Sequence, residues 1–339
     1  MYYTEKKETT YGKKVEYKES IFNLLEKLQA KEKEKRSEYI KDIMVDKERY
    51  RRDFAKLLGF PLDVMPEKEL PQVSCEKLSD EGEYSVYRMQ IEVLKEHSIT
   101  GLFFKHNDDE LRPFAVVQHG ALGTPELISG VYGSTTNYNN MLQRVLKRGI
   151  NVFAPQMLLW SDSEYELENQ RTELDMRLKR VGSSIMALEA YSVIRIIDYF
   201  AAQEYTGRIG MVGLSYGGFF TQVVSALDTR IDAAVTCSFF CDGDDYIHAD
   251  LCREKDICKF GHAELACLVH PRKMFIEMGM QDELFDYKKS EKEIERIKEI
   301  CGNDCNDWLR FVAFEGNHEF YKGDEHLDDF AAYLKQEVR

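Results

Sequence analysis

The stretch RIGMVGLSYGGFF, residues 208–220, carries the reading of this chain. Ile209, Met211, Val212 and Leu214 form a short apolar run, Ser215 interrupts it, and Gly217, Gly218 and a second apolar run follow. That order reads as strand, sharp turn and helix, with a serine at the apex. Gly213 and Gly217 stand two residues before and two after Ser215, the G-x-S-x-G spacing of a turn that holds a serine out of a strand end. Both glycines have a physical reason: a Cβ at either flank collides with the neighbouring backbone of so tight a turn. The helix that follows aims its N-terminus at the serine, where unsatisfied N–H groups favour negative charge.

The rest of the chain supplies a setting for that turn. Residues 83–94 (EYSVYRMQIEVL) alternate polar and apolar, ITGLFFK follows, and the two read as antiparallel strands. FAVVQHG (114–120), INVFAP (150–155), IDAAVTCSFF (231–240), RKMFIEMGM (272–280) and WLRFVAFEG (308–316) read as further strands. Helices are expected around Tyr138–Lys147, Ser183–Ala202 and from Ser215 to about Ala226. Others are expected across Ile294, Ile297 and Ile300 and at the end of the chain, through Leu327, Phe330, Ala331 and Leu334. Strands alternating with helices imply an α/β protein with a mostly parallel, doubly wound sheet flanked by helices.

Residues 1–82 are highly charged and read as a helical N-terminal extension packed on a core of residues 83–339. Ser20 precedes an Ile21, Leu24, Leu25, Leu28 stripe, and a second helix carries Phe54, Leu57 and Leu58 and stops at Gly59. Covering the active site and oligomerisation are the alternative roles for this segment. Two polar excursions, 156–181 and 241–266, stand where a substrate site would be shaped.

Composition narrows the partners. The chain has 339 residues, 43% of them hydrophobic, and a formal charge of −14. So acidic a protein lacks the basic footprint that nucleic acid or an anionic membrane surface requires. No run of eighteen apolar residues exists, so no transmembrane helix is expected. The polar start MYYTEKKETTYGKK is unlike a signal peptide, and a cytoplasmic location with reduced thiols is the expectation for its eight cysteines. Cys241, His248, Cys252, Cys258 and His262 lie close in sequence but lack the C-x-x-C spacing of structural zinc sites, so neither metal nor organic cofactor is expected. Cys301 and Cys305 read as structural thiols.

Functional groups in such sheets collect at the carboxyl ends of strands. His119-Gly120, Ser215, Asp282 and His318 all fall there. A serine hydroxyl needs an imidazole to take its proton and a carboxylate to orient that imidazole, and the chain order Ser215, Asp282, His318 supplies all three. Asp242, Asp244 and Asp245 after the 231–240 strand remain alternative acids, as do Glu283 and Asp286. His326 and His270 are alternative bases. His119 reads as a structural ring that shapes its loop. Trp160, Phe239 and Phe240 are candidate linings of a substrate cleft.

With these residues in view, the chain over roughly 83–339 resembles the α/β-hydrolase superfamily, and within it the dienelactone-hydrolase-like and acetyl-xylan-esterase-like branches. HGALGTPE (119–126), GLSYGG (213–218), HPRKMFIEMGMQDELF (270–285) and FEGNHEF (314–320) carry the likeness. The resemblance implies Ser215 as nucleophile, Asp282 as acid, His318 as base, and an oxyanion hole from the backbone N–H groups of Tyr216 and Ala121. It implies cleavage of a small-molecule carboxylic ester, with acetylated sugars favoured on resemblance alone. Dienelactone hydrolases themselves carry a cysteine nucleophile where this chain has Ser215. A prolyl-oligopeptidase-like peptidase, whose elbow GLSYGG also resembles, and a non-catalytic scaffold of the same fold are the alternatives. Oligomeric state is not legible.

Overall fold

The structure, a computed structural model, describes residues 2–64, 67, 69–241, 259–302 and 305–336. Its strands are β1 (Val73–Asp80), β2 (Tyr84–Leu94), β3 (His97–His106), β4 (Arg112–Gln118), β5 (Asn151–Pro155), β6 (Thr206–Leu214), β7 (Ile231–Cys237), β8 (Lys273–Gly279) and β9 (Leu309–Phe314). Its helices are α1 (Lys7–Tyr39), α2 (Lys47–Leu58), α3 (Pro125–Ser129), α4 (Met141–Leu146), α5 (Asp162–Tyr165), α6 (Arg171–Lys179), α7 (Ile185–Ala201), α8 (Tyr216–Leu227), α9 (His262–Val269), α10 (Tyr287–Cys301) and α11 (Glu325–Leu334).

The strands form one sheet in the order β1-β2-β3-β5-β4-β6-β7-β8-β9. β1, β2, β3 and β5 pair antiparallel in succession, and every pair from β5 through β4 to β9 is parallel. The chain order reverses at β4, which lies between β5 and β6, and the carboxyl ends of strands at such a reversal are where open α/β sheets place their ligands. The parallel strands are almost wholly apolar because both faces are covered. On one face α2, α7, α8, α9 and α10 bury Phe54, Ile196, Phe219, Leu265 and Ile294. On the other, α3, α4 and α11 bury Ile128, Leu142 and Phe330. Helix starts follow local chemistry: the Ser184 hydroxyl accepts from Ala187 N–H, Thr124 from Leu127 N–H with Pro125 next in line, and the Asp286 carboxylate from Lys288 N–H.

Two expectations for the first 82 residues are corrected. Residues 73–80 are a strand, β1, at the edge of the sheet, not part of a helical extension. Its sequence VSCEKLSD leaves most side chains exposed, and its place comes from pairing with β2 rather than from apolar alternation. The Ile21, Leu24, Leu25, Leu28 stripe is helical but does not pack on the core. These side chains are 45–56% exposed, and Arg36 is the buried residue of α1. α2 does pack, through Tyr50, Phe54 and Leu58. The final residues of the expected 231–240 strand also differ, because β7 ends at Cys237 and the chain turns through Ser238 at φ +53°.

Candidate active site

β6 delivers Ser215 at its carboxyl end, and α8 begins at the next residue. Ser215 has φ +58° and ψ −124°, a conformation that side-chain-bearing residues rarely adopt. Two close approaches force it. A Cβ on Gly213 would stand 2.1 Å from the Gly217 oxygen, and one on Gly217 would stand 2.1 Å from the Gln118 oxygen. The turn is anchored on both sides: Ser215 N–H donates to Cys237 O at 2.8 Å, and Ser215 O accepts from Phe219 N–H at 2.9 Å. The strained backbone leaves the hydroxyl half-exposed at the sheet rim, above the first turn of α8.

His318 follows β9, and Asp282 follows β8. The His318 Nδ1 lies 2.8 Å from Asp282 Oδ2. The other carboxylate oxygen accepts from the amides of Leu284 at 2.8 Å and Phe285 at 3.1 Å, and the Asp282 side chain is fully buried. A carboxylate so held is oriented and balanced, and it fixes Nδ1 of the ring as the donor, which leaves the lone pair on Nε2. The His318 ring also lies along Phe285, with centroids 5.8 Å apart and planes at 28°. Of the rival acids, Glu283 and Asp286 are not the partner of this imidazole, and Asp242, Asp244 and Asp245 lie outside the described residues. His326 pairs instead with the buried Glu277, and His270 with Lys47.

Among the described residues no hydrogen bond joins Ser215 Oγ to His318, as is common before a substrate is bound. Two routes of contact tie the pair together. Ser215 N–H holds Cys237 O, while Cys237 Sγ and Ser238 Oγ both donate to Glu319 O, one residue beyond His318. A row of rings runs beside this: Tyr216 to Phe239 at 5.9 Å, Phe239 to Phe285 at 4.5 Å, then His318.

The sequence reading missed part of the support. Asn137 Nδ2 donates to His318 O at 3.0 Å and Phe320 N–H donates to Asn137 O at 2.8 Å. Asn139 Nδ2 donates to Phe320 O at 2.6 Å and to the Glu319 carboxylate at 2.9 Å. These asparagines clamp the histidine loop from about 180 residues upstream. GSTTNYNN (133–140) is a polar stretch running into the helix expected around Tyr138–Lys147, and nothing local points to a partner so distant.

The loop after β4 faces the serine turn: a Cβ on Gly120 would lie 3.0 Å from Ser215 Cβ. Its amides on either side of Ala121 are engaged, Gly120 N–H by Tyr138 Oη at 2.9 Å and Leu122 N–H by Leu159 O at 2.6 Å. His119 is fully buried; its Nδ1 bonds Gly120 O at 2.9 Å and its Nε2 accepts from Met157 N–H at 3.1 Å. Both contacts are satisfied only by a neutral ring protonated on Nδ1, and burial pushes its pKa down to about 4. His119 therefore shapes the loop, as its sequence position suggested. Tyr216 N–H is the first amide of α8, so the two expected oxyanion donors belong to the two adjacent strand ends.

The three aromatic candidates divide. Trp160 is half-exposed beside this loop, through a bridge between Leu122 and Trp160, and its indole N–H donates to Leu167 O. Phe239 and Phe240 are 1% and 0% exposed. They are corrected from cleft lining to core, because the chain turns inward after Ser238 and packs Phe239 flat on Phe219 at 4.9 Å. Arg171, from the 156–181 excursion, places its guanidinium carbon 5.6 Å from the Tyr216 ring and pairs with Glu189 at 2.8 Å. This buried ion pair therefore lies beside the first residue of α8, a contact the sequence did not signal.

His262 is a core ring. It stacks on Phe219 at 5.6 Å and on Phe239 at 5.5 Å, and its Nδ1 accepts from Cys241 N–H at 3.3 Å. His248, Cys252 and Cys258 lie outside the described residues. Among the described residues no three His, Cys, Asp or Glu side chains gather as metal ligands, and no helix is long and apolar enough to cross a membrane.

Comparison with known proteins agrees with this architecture. A putative acetyl xylan esterase from Bacteroides fragilis superposes with a TM-score of 0.64 at 16% identity, over 79% of this chain and 74% of that one. A glucuronoyl esterase from Solibacter usitatus gives 0.64 at 13% identity, over 84% and 92%. Acetyl xylan esterase 1 from Thermoanaerobacterium sp. gives 0.57 at 14%, over 86% and 94%. Likenesses at such identities establish the fold. No curated protein matches by sequence. The profile of the Dienelactone hydrolase family matches residues 127–300, more than half of the chain and including both Ser215 and Asp282. The chain belongs to the dienelactone hydrolase family, and it is a carboxylic ester hydrolase with the α/β-hydrolase fold.

Proposed function

We propose that Ser215 is the nucleophile of this hydrolase, His318 its general base and Asp282 the acid that orients the base, and that the substrate is a small acylated carbohydrate. The observation that carries the assignment is the 2.8 Å His318–Asp282 pair at the same sheet rim as a serine held at φ +58°. In the first step Nε2 of His318 takes the Ser215 proton as Oγ attacks the ester carbonyl. Asp282 stabilises the imidazolium that forms. The N–H groups of Tyr216 and Ala121 receive the carbonyl oxygen as it becomes an oxyanion, each lowering the barrier by about 3–4 kcal/mol. The imidazolium then protonates the departing alcohol, and a water deprotonated by the same ring releases the acid.

The carbohydrate part of the proposal is supported by the acetyl xylan and glucuronoyl esterases that share the fold.

A fluorophosphonate probe followed by peptide mass spectrometry tests the nucleophile; stoichiometric labelling of Ser215 is expected. Ser215→Ala is expected to lower kcat by at least ~10³-fold with an unchanged melting curve, because its hydroxyl makes no hydrogen bond among the described residues. Near-native turnover by that variant overturns the mechanism. Hydrolysis rates across acetyl to octanoyl esters and an acetylated xylo-oligosaccharide test the substrate class. A chain-length preference beyond butanoyl, or faster cleavage of an aminoacyl anilide, overturns it while leaving the triad standing.

A further inference from the structure

Away from the triad, sulfur atoms gather where α9, the end of α10 and the α1–α2 turn meet. Cys267 Sγ on α9 and Cys301 Sγ, the last residue of α10, lie 3.4 Å apart. Cys301 Sγ is also 3.4 Å from Met44 Sδ, and Cys305 Sγ donates to Gly302 O at 3.3 Å. Cys267 is buried, whereas Cys301 is half-exposed at a helix end. Lys47, the first residue of α2, bonds His270 at the C-terminus of α9, with Nζ 2.7 Å from the ring Nδ1. Neither the esterase mechanism nor the core packing requires two thiols in contact at this junction.

We propose that Cys267 and Cys301 are a peroxide-responsive pair that closes to a disulfide between α9 and α10, Cys301 being the sulfur oxidised first. Accessibility favours Cys301 for the first step and contact favours Cys267 for the second. A hydrogen bond from Cys267 and the nearby Lys47 ammonium hold the Cys301 thiol below its ordinary range, while the same hydrogen bond and burial push Cys267 up. The Cys301 thiolate attacks hydrogen peroxide: an S–O bond forms, the O–O bond breaks, and hydroxide leaves and becomes water on taking a proton. The sulfur is oxidised to a sulfenic acid and the peroxide oxygen is reduced. The Cys267 sulfur then attacks Cys301: the S–S bond forms, the S–O bond breaks, and hydroxide leaves with the Cys267 proton as a second water. Two thiols and one peroxide become a disulfide and two waters.

The consequence is mechanical. α9 begins at His262, whose ring lies against Phe219 of α8, the helix that starts beside Ser215. Tying α9 to the end of α10 closes a loop of 34 residues and restrains the unfolded chain more than the folded one. The oxidised protein is therefore expected to melt several degrees higher with its turnover unchanged.

The test treats the full chain with hydrogen peroxide, alkylates remaining thiols and maps peptides without reduction. The expected result is a Cys267–Cys301 linked peptide, formed before the exposed Cys75 is modified, and a melting shift that dithiothreitol reverses. Cys267→Ser is expected to leave Cys301 as a sulfenic acid trapped by dimedone, and Cys301→Ser to leave Cys267 alkylatable. A Cys301–Cys305 bridge, modification of Cys75 ahead of Cys301, or an alkylatable Cys267 in peroxide-treated wild type overturns the proposal. Esterase activity is read separately, so loss of the proposed triad chemistry would not be mistaken for failure of the thiol pair.

Discussion

Two residues show how an imidazole takes opposite roles in one protein. His318 donates to a buried carboxylate and leaves Nε2 for the proton transfer proposed for it; His119 spends both nitrogens on backbone partners. Asp282→Asn keeps the shape but offers an amide whose N–H₂ can present itself to Nδ1, which stabilises the wrong tautomer. Its kcat is expected to drop by roughly 10⁴-fold near neutral pH, with KM little changed and recovery at high pH. A kcat within tenfold of wild type would assign the acid elsewhere. His119 gives a stability prediction instead. Its folded pKa of about 4 lies below the unfolded value of about 6.5. The contribution of the neutral ring is complete above pH 6.5, where neither state is protonated. Between 6.5 and 4 the unfolded chain takes up a proton that the folded chain refuses, so about 3 kcal/mol is lost over that window. His119→Gln cannot titrate. The difference between wild-type and variant unfolding free energies, measured in urea from pH 7.5 to 4, should fall with this slope; a flat difference would contradict the buried neutral ring.

At the scale of elements, the sequence disclosed what depends on local order and hid what depends on a partner. The β6–Ser215–α8 turn was legible because its glycines and apolar flanks are contiguous, and Asp282 and His318 because they follow apolar strands directly. β1 was not legible: VSCEKLSD has no continuous apolar face, and its register comes from β2, with Val73 opposite Ile91. Asn137 and Asn139 were hidden for a similar reason, since an asparagine in a loop carries no sign of the carbonyl it will meet. The junction of α1, α9 and α10 is another such case. Glu264 on α9 is fully buried and accepts from Arg36 of α1, from Arg296 of α10 at 2.8 and 3.0 Å, and from Gly261 N–H at 2.8 Å. Burial alone would raise its pKa, but the two guanidinium groups outweigh that and hold it below the ordinary value. Arg36→Ala leaves this carboxylate with one cation, and a loss toward the lower end of about 3–5 kcal/mol is expected in chemical denaturation. Because the pair is buried, that loss should persist at high salt; a loss that salt abolishes would mark the contact as superficial.

The whole molecule is a mostly parallel sheet with the proposed chemistry at one rim and a long helix that shares little of its core. α1 spans 33 residues, about 50 Å at 1.5 Å per residue, yet no described residue before Arg36 is buried. Its i, i+3, i+4, i+7 stripe satisfies the helical pattern without saying what, if anything, covers it. Apolar burial stabilises at roughly 25 cal/mol per Å² removed from water, and the stripe of Ile21, Leu24, Leu25 and Leu28 stays about half-exposed. Removing residues 2–30 should therefore change the unfolding free energy of the monomer by less than about 1 kcal/mol and leave kcat for a short-chain ester unaltered. The Arg36–Glu264 contact and the packing of Ile40 and Ile43 remain in that variant. Urea denaturation and sedimentation of the full-length and shortened chains at several concentrations provide the check. Equal midpoints at every concentration fit a helix that is bare in solution. A midpoint that falls only on truncation, and rises with concentration in the full-length chain, would show that a second copy covers the stripe and that its four aliphatic side chains belong to an interface.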